Sequence, residues 1–262
     1  MAIVEKSKKY IKTGVPGFDK LFTHGIPKGA PVVIAGGAGS GKTILCLQML
    51  AYQASKGKKC YYMSFEENEN RLIEHMKDFG WDPDKLIESG NLKIKRFLTS
   101  EIYYYDKQSG NDIQAMLTKD VDPMLMDLEP LAITEEAGFK PDFIVIDSLT
   151  AISSTFLGKE QNYRFYIERL FRFFEKIGST NFLITETKQI PEVFSPTGVE
   201  EFLADGVIVM YNIRQENIRE TGIEVLKMRG ESHEKKIVAM HITDKGIVVY
   251  PDQEVFGAVH IK

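Results

Sequence analysis

Short apolar runs and longer stretches of helical periodicity follow one another along most of this chain. Most of the apolar runs are rich in β-branched or aromatic residues, which is typical of strands that are buried on both faces of a parallel sheet. Five segments are predicted as strands: Pro31–Ala35, Lys59–Ser64, Leu92–Phe97, Phe143–Ser148 and Asn181–Glu186. Because helical segments separate several of them, the pattern predicts an α/β fold with a mostly parallel central sheet flanked by helices.

The clearest helical pattern covers Tyr163–Ile177. Apolar and aromatic residues recur there at three- and four-residue spacing and form one face, whereas charged residues occupy the other face. Gly178 suits the C-terminal cap of this helix. Two further helices are predicted, from Ile44 to about Ser55 and from Asn68 to Phe79, and each follows a predicted strand closely.

The C-terminal part of the chain carries the pattern of an antiparallel hairpin. Two apolar strands, Ile237–Ile242 and Ile247–Tyr250, are joined by a short turn that contains Gly246. Two further strands, Val207–Tyr211 and Ile223–Met228, are predicted before the hairpin.

Alternation along the second of these strands predicts that Leu226 and Met228 share one face. Lys227 and the residue after the strand, Arg229, would then share the other face. Two cations on one strand face can reach a common anionic target, although a solvated strand face explains the same pattern.

The segment between the first strand and its helix carries the most specific motif in the chain. Residues 36–43 read Gly-Gly-Ala-Gly-Ser-Gly-Lys-Thr, which fits the phosphate-binding pattern G-x-x-x-x-G-K-[ST] in its strand–loop–helix context. The glycines let the backbone wrap around phosphates with its N–H groups turned inward, and the following helix adds the positive end of its dipole. The predicted nucleotide-binding residues are Gly37, Ala38, Gly39, Ser40, Gly41, Lys42 and Thr43.

Two residues are predicted to hold Mg²⁺. Thr43 ends the phosphate-binding motif, and its hydroxyl can ligate the metal while Lys42 reaches the β- and γ-phosphates. Asp147 ends the apolar strand Phe143–Ser148, which is the pattern of a Walker B aspartate. The pattern of Asp147 is weak alone, but it becomes informative in a chain that already has a phosphate-binding loop.

An acidic pair, Glu66 and Glu67, follows the strand Lys59–Ser64, which we expect to lie next to the strand of the phosphate-binding loop. Ligands of open α/β sheets bind at the carboxyl ends of the strands, so the pair is a candidate for activating the water that attacks a γ-phosphate. The same residues also favour the N-terminus of the next helix, and position alone leaves the two interpretations even. Thr185 and Glu186 end another strand and are candidate γ-phosphate sensors, although packing and surface charge explain them equally well.

Composition narrows the class of protein. The 262 residues are 43% hydrophobic, which is enough for one large α/β domain with a full core. The net charge of −4 does not support a general affinity for nucleic acid. Cys46 and Cys60, without a metal-ligand spacing, fit a reducing compartment, and Met1–Lys12 is lysine-rich without an apolar core. We therefore expect a cytoplasmic protein without a membrane span.

Taken together, these stretches resemble the KaiC-type ATPases of the RecA superfamily. The resemblance covers nearly the whole chain and includes two segments that P-loop proteins at large do not share, Gly198–Phe202 and Leu226–His233. The other matching segments are Thr13–Leu21, the phosphate-binding loop, Ser64–Glu67, Phe79–Asp82 and Ile146–Ser148.

The resemblance implies a RecA-like fold and a homo-oligomeric ring, usually of six subunits, with ATP bound at the subunit interfaces. It implies that Glu66 and Glu67 are the catalytic pair, with Glu66 as the general base. It also implies that Lys227 and Arg229 reach the γ-phosphate bound by the neighbouring subunit, and that His233 lies near the neighbour's nucleotide.

Three features depart from the clock protein of this family. One such domain, spanning residues 1–262, is expected here instead of two in tandem, and the insertion at about residues 99–140 is longer than its counterpart. Glu201 and Phe202 stand where the kinase half of the clock protein carries adjacent phosphate-accepting hydroxyls. Since an autokinase needs those hydroxyls, autokinase activity is not expected, and the clock role does not carry over.

Three functions therefore stay open at the level of sequence. The leading one is Mg²⁺-dependent ATP hydrolysis in a ring. The first alternative is a regulatory scaffold whose assembly responds to nucleotide with negligible hydrolysis, acting on an unidentified protein partner. The second is a DNA-binding relative of recombinases, which would need basic loops at Ser153–Gln161 or Thr187–Thr197. The latter loop has only one lysine, Lys188, so nucleic acid is not favoured as a partner.

Overall fold

A nine-stranded sheet organises the part of the chain that the computed structural model describes, residues 9–99, 139–158, 160–188, 193–215 and 217–255. Its strands are β3 (Pro31–Gly36), β4 (Cys60–Ser64), β5 (Leu92–Arg96), β6 (Phe143–Asp147), β7 (Thr180–Glu186), β8 (Gly206–Gln215), β9 (Ile218–Met228), β10 (Val238–Thr243) and β11 (Gly246–Glu254). A separate two-stranded ribbon pairs β1 (Tyr10–Ile11) with β2 (Ile26–Pro27). The predicted insertion lies largely outside the described residues.

Six α-helices connect these strands in the described residues. They are α1 (Lys42–Ser55), α2 (Glu69–Asp78), α3 (Pro83–Glu88), α4 (Leu149–Ser153), α5 (Glu160–Ile177) and α6 (Val199–Leu203). Two 3₁₀ turns cover Phe18–Leu21 and Ser154–Phe156. No helix among the described residues is both long and apolar enough to cross a lipid bilayer.

The sheet is parallel on one side and antiparallel on the other. Its order is β11–β10–β9–β8–β3–β7–β6–β4–β5, and every neighbouring pair from β8 to β5 is parallel. Every pair from β11 to β8 is antiparallel, and β10 and β11 form the predicted hairpin. The prediction of a mostly parallel α/β sheet with a C-terminal antiparallel hairpin is confirmed.

Helices cover both faces of the parallel part, which explains why most of its inner strands read as apolar runs, whereas the edge strand β5 carries exposed charges. One core cluster joins the sheet to α1, α2 and α3, and a second joins the opposite face to α4 and α5. Cys46 and Cys60 are both buried, and burial raises the pKa of both thiols. They therefore behave as small core residues, as predicted.

The prediction that the strand leading to Glu66, β4, lies next to the strand of the phosphate-binding loop, β3, is wrong. The sheet order places β7 and β6 between β3 and β4, so the strand that leads to Glu66 is not adjacent to the strand that leads to the loop. β4 instead pairs with β6, and Ser64 faces Asp147 across that pair. Apolar runs reveal strands but not their order, because a crossover helix can carry the chain past more than one strand position.

A β-bulge overturns the predicted alternation near the end of β9. The ladder between β8 and β9 shifts by one residue beside Val207 and leaves Leu226 without a facing partner. Leu226 is 43% exposed, whereas Met228 is 5% exposed. These two residues therefore do not share one face, because period-two alternation fails across a bulge.

Candidate nucleotide-binding site

The loop between β3 and α1 has a backbone that only glycine adopts without strain. Gly39 and Gly41 have φ angles of 73° and 94°, and Gly41 directly precedes α1. A Cβ atom on Gly36 would lie 2.5 Å from the carbonyl oxygen of Met210, which belongs to the neighbouring strand β8. The glycines of the motif are therefore required both by backbone conformation and by close approach of the next strand.

Ser40 carries a buried hydroxyl group that is available to a ligand of the loop. Its hydroxyl oxygen is fully buried and has no hydrogen-bond partner among the described residues. Such a group costs free energy unless a ligand satisfies it. A phosphate oxygen is an acceptor of the right kind for a hydroxyl in a phosphate-binding loop, so the loop fits the nucleotide that its sequence predicts.

Lys42 points back into the loop and is 7% exposed. Its Nζ donates to the carbonyl oxygens of Gly36 at 2.8 Å and Gly37 at 3.0 Å. Burial lowers the pKa of this ammonium group, and nearby carboxylates, Glu186 foremost, offset part of that effect. Lys42 is thus held, largely desolvated, where phosphate oxygens would replace two neutral carbonyls with stronger charged acceptors.

The two predicted metal ligands lie in direct contact. Thr43 Oγ1 donates to Asp147 Oδ2 at 3.0 Å, and the Tyr62 hydroxyl donates to the same oxygen at 2.5 Å. Asp147 is 4% exposed, and burial raises the pKa of its carboxyl group to about 6, against the opposing effect of the Tyr62 hydrogen bond. A hydroxyl and a carboxylate are hard oxygen ligands, which suit Mg²⁺.

The acidic pair separates into two different environments. Glu66 accepts a hydrogen bond from the hydroxyl of Ser148, the residue directly after Asp147, and so lies at the carboxyl end of β6. Glu67 turns toward its own helix, where its carboxylate lies 3.5 Å from Arg71 Nε. The structure therefore brings Glu66, and not Glu67, beside Ser148 and Asp147, and Asp147 contacts Thr43 of the phosphate-binding loop.

The two candidate sensors at the end of β7 also differ. The hydroxyl of Thr185 donates to the carbonyl oxygen of Phe194 at 2.8 Å, which is not part of the phosphate-binding loop. Glu186 is exposed and faces Gly36 directly in the parallel ladder between β3 and β7. Of the two, only Glu186 lies beside the phosphate-binding loop.

The two predicted interface cations come together, but at the end of α6. Lys227 Nζ donates to the carbonyl oxygens of Ala204 at 2.6 Å and Glu201 at 3.1 Å. Arg229 Nη2 donates to the carbonyl oxygen of Phe202 at 3.1 Å, and that oxygen also accepts from Lys227 at 3.3 Å. Burial lowers the pKa of Lys227, and the neighbouring guanidinium acts in the same direction.

Strand register separates this pair of cations from the loop of the same chain. Lys227 faces Val207, and Val207 faces Val33, which precedes Gly36 by three residues. At roughly 3.3 Å per residue and roughly 4.8 Å between strands, the Lys227 backbone is about 14 Å from that of Gly36. The loop itself lies beyond Gly36, so neither cation reaches a phosphate bound by its own chain in this conformation.

His233 also lies away from the loop of its own chain. Its backbone forms an isolated bridge with Phe22, and its ring Nδ1 is 3.4 Å from the carbonyl oxygen of Glu231. Neither contact involves the phosphate-binding loop, and its predicted role near a neighbour's nucleotide stays a prediction.

Two side chains of the site were not predicted from the sequence. Ser148 holds Glu66, and its position directly after Asp147 is a signal that could have identified it. Tyr62 holds Asp147 from within an apolar strand. Its hydroxyl offers no local signal, because tyrosine is common in half-buried strands.

The chain was compared with known proteins. A family model described as "ATPase: KaiC" matches residues 11–254. A UPF0273 protein of Thermotoga maritima is 30% identical over 94% of this chain and 97% of its own length. The circadian clock protein KaiC3 of Synechocystis is 32% identical over 92% of this chain, and the match spans only 45% of that protein.

A solved structure agrees with these matches. The crystal structure of a KaiC-like protein from Pyrococcus horikoshii superposes with a TM-score of 0.71 at 29% sequence identity, covering 92% of this chain and 99% of the other. The shared architecture is the RecA-like α/β fold, which carries the phosphate-binding loop described above. This chain therefore belongs to the KaiC ATPase family, and its RecA-like domain is an ATP-binding domain.

Proposed function

We propose that the protein hydrolyses ATP with Mg²⁺ in a homo-oligomeric ring, at active sites shared between neighbouring subunits. The observation that carries the shared site is the position of Lys227 and its neighbour Arg229, because the Lys227 backbone lies about 14 Å along and across the strand ladder from that of Gly36 in its own chain. The resemblance implies that this pair acts on the nucleotide of a neighbouring subunit, and the distance of the pair from the loop of its own chain supports that role. A hexamer and a cytoplasmic location are parts of the same proposal.

The chemistry begins with ATP in the phosphate-binding loop. Lys42 exchanges the carbonyl oxygens of Gly36 and Gly37 for oxygens of the β- and γ-phosphates, and the loop amides donate to the same groups. Thr43 and Asp147 would hold Mg²⁺, which supplies charge neutralisation to these phosphates when bound.

Glu66 then accepts a proton from the water that attacks the γ-phosphorus, while the hydrogen bond from Ser148 holds its carboxylate in position. The bond between the γ-phosphorus and the bridging oxygen breaks, which releases ADP and phosphate. Lys227 and Arg229 of the adjacent subunit offset the charge that develops on the transferred phosphoryl oxygens.

Mixing two inactive variants tests whether the site is shared. Arg229→Ala is expected to keep ATP binding but to lose about 10³-fold or more in turnover, as is typical for a cation supplied in trans. Lys42→Ala is inactive for a different reason, because it damages the loop. In a one-to-one mixture assembled before ATP is added, an intact loop meets an intact Arg229 at about a quarter of the interfaces of a head-to-tail ring.

Steady-state turnover of the mixture is therefore expected near a quarter of the wild-type value. An active centre contained in one chain would leave the mixture as inactive as its components, and this outcome would refute the proposal. Arg172→Ala, which removes an exposed arginine from the outer face of α5, is the matched control and is expected to turn over normally.

The two alternatives make different predictions in the same experiments. A nucleotide-gated scaffold would change its assembly with ATP, measured by size-exclusion chromatography, without measurable turnover in the wild-type protein. A DNA-binding relative would show a salt-dependent affinity for DNA at physiological ionic strength.

A further inference from the structure

A basic cleft of about 440 Å³ opens at the amino-terminal edge of the sheet, opposite the phosphate-binding loop. Its walls come from β1, the C-terminal end of α1 and the beginnings of β6 and β7. The whole chain carries a net charge of −4, yet the charged residues of this cleft are predominantly cationic. They are Lys12, Lys28, Lys56, Lys58 and Asp142.

Buried polar groups fix the backbone on which two of these lysines stand. Gln53 is 8% exposed, and its side-chain amide donates to the carbonyl oxygen of Lys12 at 2.6 Å. Next to Lys28, the N–H of Gly29 donates to the hydroxyl of Thr180, which is 1% exposed, at 2.9 Å. The cleft is therefore a preformed part of the fold.

Only some of the charges of the cleft have partners among the residues that the structure describes. Lys58 pairs with Asp142 at 3.5 Å, and Lys56 lies over the ring of Tyr52 at 5.5 Å from its centroid. The ammonium groups of the other two lysines have no hydrogen-bond or ion-pair partner among the described residues. A bound anion would relieve the repulsion among these like charges.

We propose that this cleft binds an oligophosphate anion, such as the phosphate chain of a nucleotide, at a site separate from the phosphate-binding loop. Its volume lies in the range of pockets for small ligands, about 300–1,000 Å³. A bounded cleft suits a compact, multiply charged anion better than an extended polyanion, which the net negative charge of the chain would repel.

Calorimetric titration with inorganic tripolyphosphate, without divalent metal, tests the site in the full-length chain. Wild type is expected to bind two equivalents, one in the loop and one in the cleft, and Lys42→Ala is expected to lose only the first. Lys12→Ala/Lys28→Ala should weaken the cleft equivalent about tenfold, because each exposed charge pair contributes only a few-fold in affinity.

Lys20→Ala/Lys176→Ala is the matched control, since it removes two exposed lysines elsewhere and changes the net charge equally. The proposal would be overturned if both double variants weakened tripolyphosphate binding equally. It would also be overturned if wild type bound only one equivalent of tripolyphosphate and Lys42→Ala abolished that binding. Titration with ATP distinguishes the sources: a second equivalent of ATP identifies a nucleotide, whereas a second equivalent of tripolyphosphate alone identifies a bare phosphate chain.

Lysine footprinting on wild-type protein gives a second measurement that does not depend on the folding of a variant. Acetylation of Lys12 and Lys28, followed by mass spectrometry, should slow in tripolyphosphate but not in sodium chloride of equal ionic strength, while Lys20 stays unaffected. Unchanged acetylation of the two cleft lysines would overturn the proposal. None of these measurements depends on ATP hydrolysis, so a negative result for the cleft would leave the proposed ATPase function intact.

Discussion

Replacing Asp147 by asparagine is expected to stabilise the protein in the absence of nucleotide and metal. The carboxylate is 4% exposed, and burial raises its pKa from the ordinary 3.8 to about 6. At pH 7.5 the group is therefore charged in an environment that disfavours the charge. An asparagine side chain has nearly the same shape, and its carbonyl oxygen can still accept from Tyr62 and Thr43.

The pKa shift sets the size of this effect. A difference of about two pKa units between folded and unfolded states corresponds to roughly 3 kcal/mol at a pH above both values. The hydrogen bonds from Tyr62 and Thr43 are weaker when they reach a neutral oxygen, and this reduces the stabilisation by about 1 kcal/mol. We therefore expect Asp147→Asn to raise the free energy of unfolding by about 2 kcal/mol at pH 7.5.

The sign of the pH dependence follows from the raised pKa. The folded wild-type protein binds the Asp147 proton more tightly than the unfolded chain does, so protonation favours folding. This stabilisation is fully present below pH 3.8 and is lost as the pH rises through about 6. The advantage of the variant should accordingly be largest above pH 7 and should shrink as the pH falls toward 4.

Urea unfolding with EDTA, at pH 7.5 and pH 5, measures both effects. Thermal unfolding with Mg²⁺ and ATP then measures the functional cost, because the wild-type protein should gain stability from the ligands and the variant should gain little. Asp84→Asn, at an exposed carboxylate paired with Lys77, is the control and should change stability by less than about 0.5 kcal/mol. The reasoning would be refuted if Asp147→Asn were less stable than wild type at pH 7.5. It would also be refuted if the difference in the free energy of unfolding between variant and wild type were the same at both pH values.

Two further predictions concern residues whose surroundings differ sharply. Glu66→Gln should lower steady-state ATP turnover about 10²-fold or more with little change in ATP affinity. Glu67→Gln should keep most of the turnover, because the Glu67 side chain faces helix α2. Equal losses in the two variants would contradict the assignment of Glu66 as the base. Tyr163→Phe removes a hydroxyl that donates at 2.5 Å to the fully buried carboxylate of Glu200, so urea unfolding should show a loss of about 1.5–3 kcal/mol. Tyr61→Phe, which removes a buried hydroxyl without a partner among the described residues, should cost much less, and similar losses would contradict this explanation.

Local sequence was sufficient for the parts of the site that depend on consecutive residues. The phosphate-binding loop, residues 36–43, is recognisable because its glycines, Lys42 and Thr43 act through adjoining backbone and a single helix start. Asp147 could be predicted because a buried strand delivers its last residue to a known edge of the sheet. The amphipathic helix α5 and the C-terminal hairpin followed from periodicity in the same way.

Relations between distant segments could not be predicted in this way. The residue pattern alone did not separate Glu66 from Glu67, and the choice of Glu66 as the base came from the family resemblance. Only the pairing of β4 with β6 brings Glu66 against Ser148. Likewise, alternation placed Leu226 on the wrong face, because a bulge is decided by how β8 and β9 fit together.

The sequence by itself thus determined the α/β class, the phosphate-binding loop and the candidate metal ligands, since each follows from local backbone chemistry. The tertiary structure alone decided which acidic residue meets the loop and how far Lys227 and Arg229 lie from it. It also gathered the lysines of the basic cleft from separate elements. The physical reason is that strand order, register and bulges set distances across a sheet, and the period of a single segment contains none of these quantities.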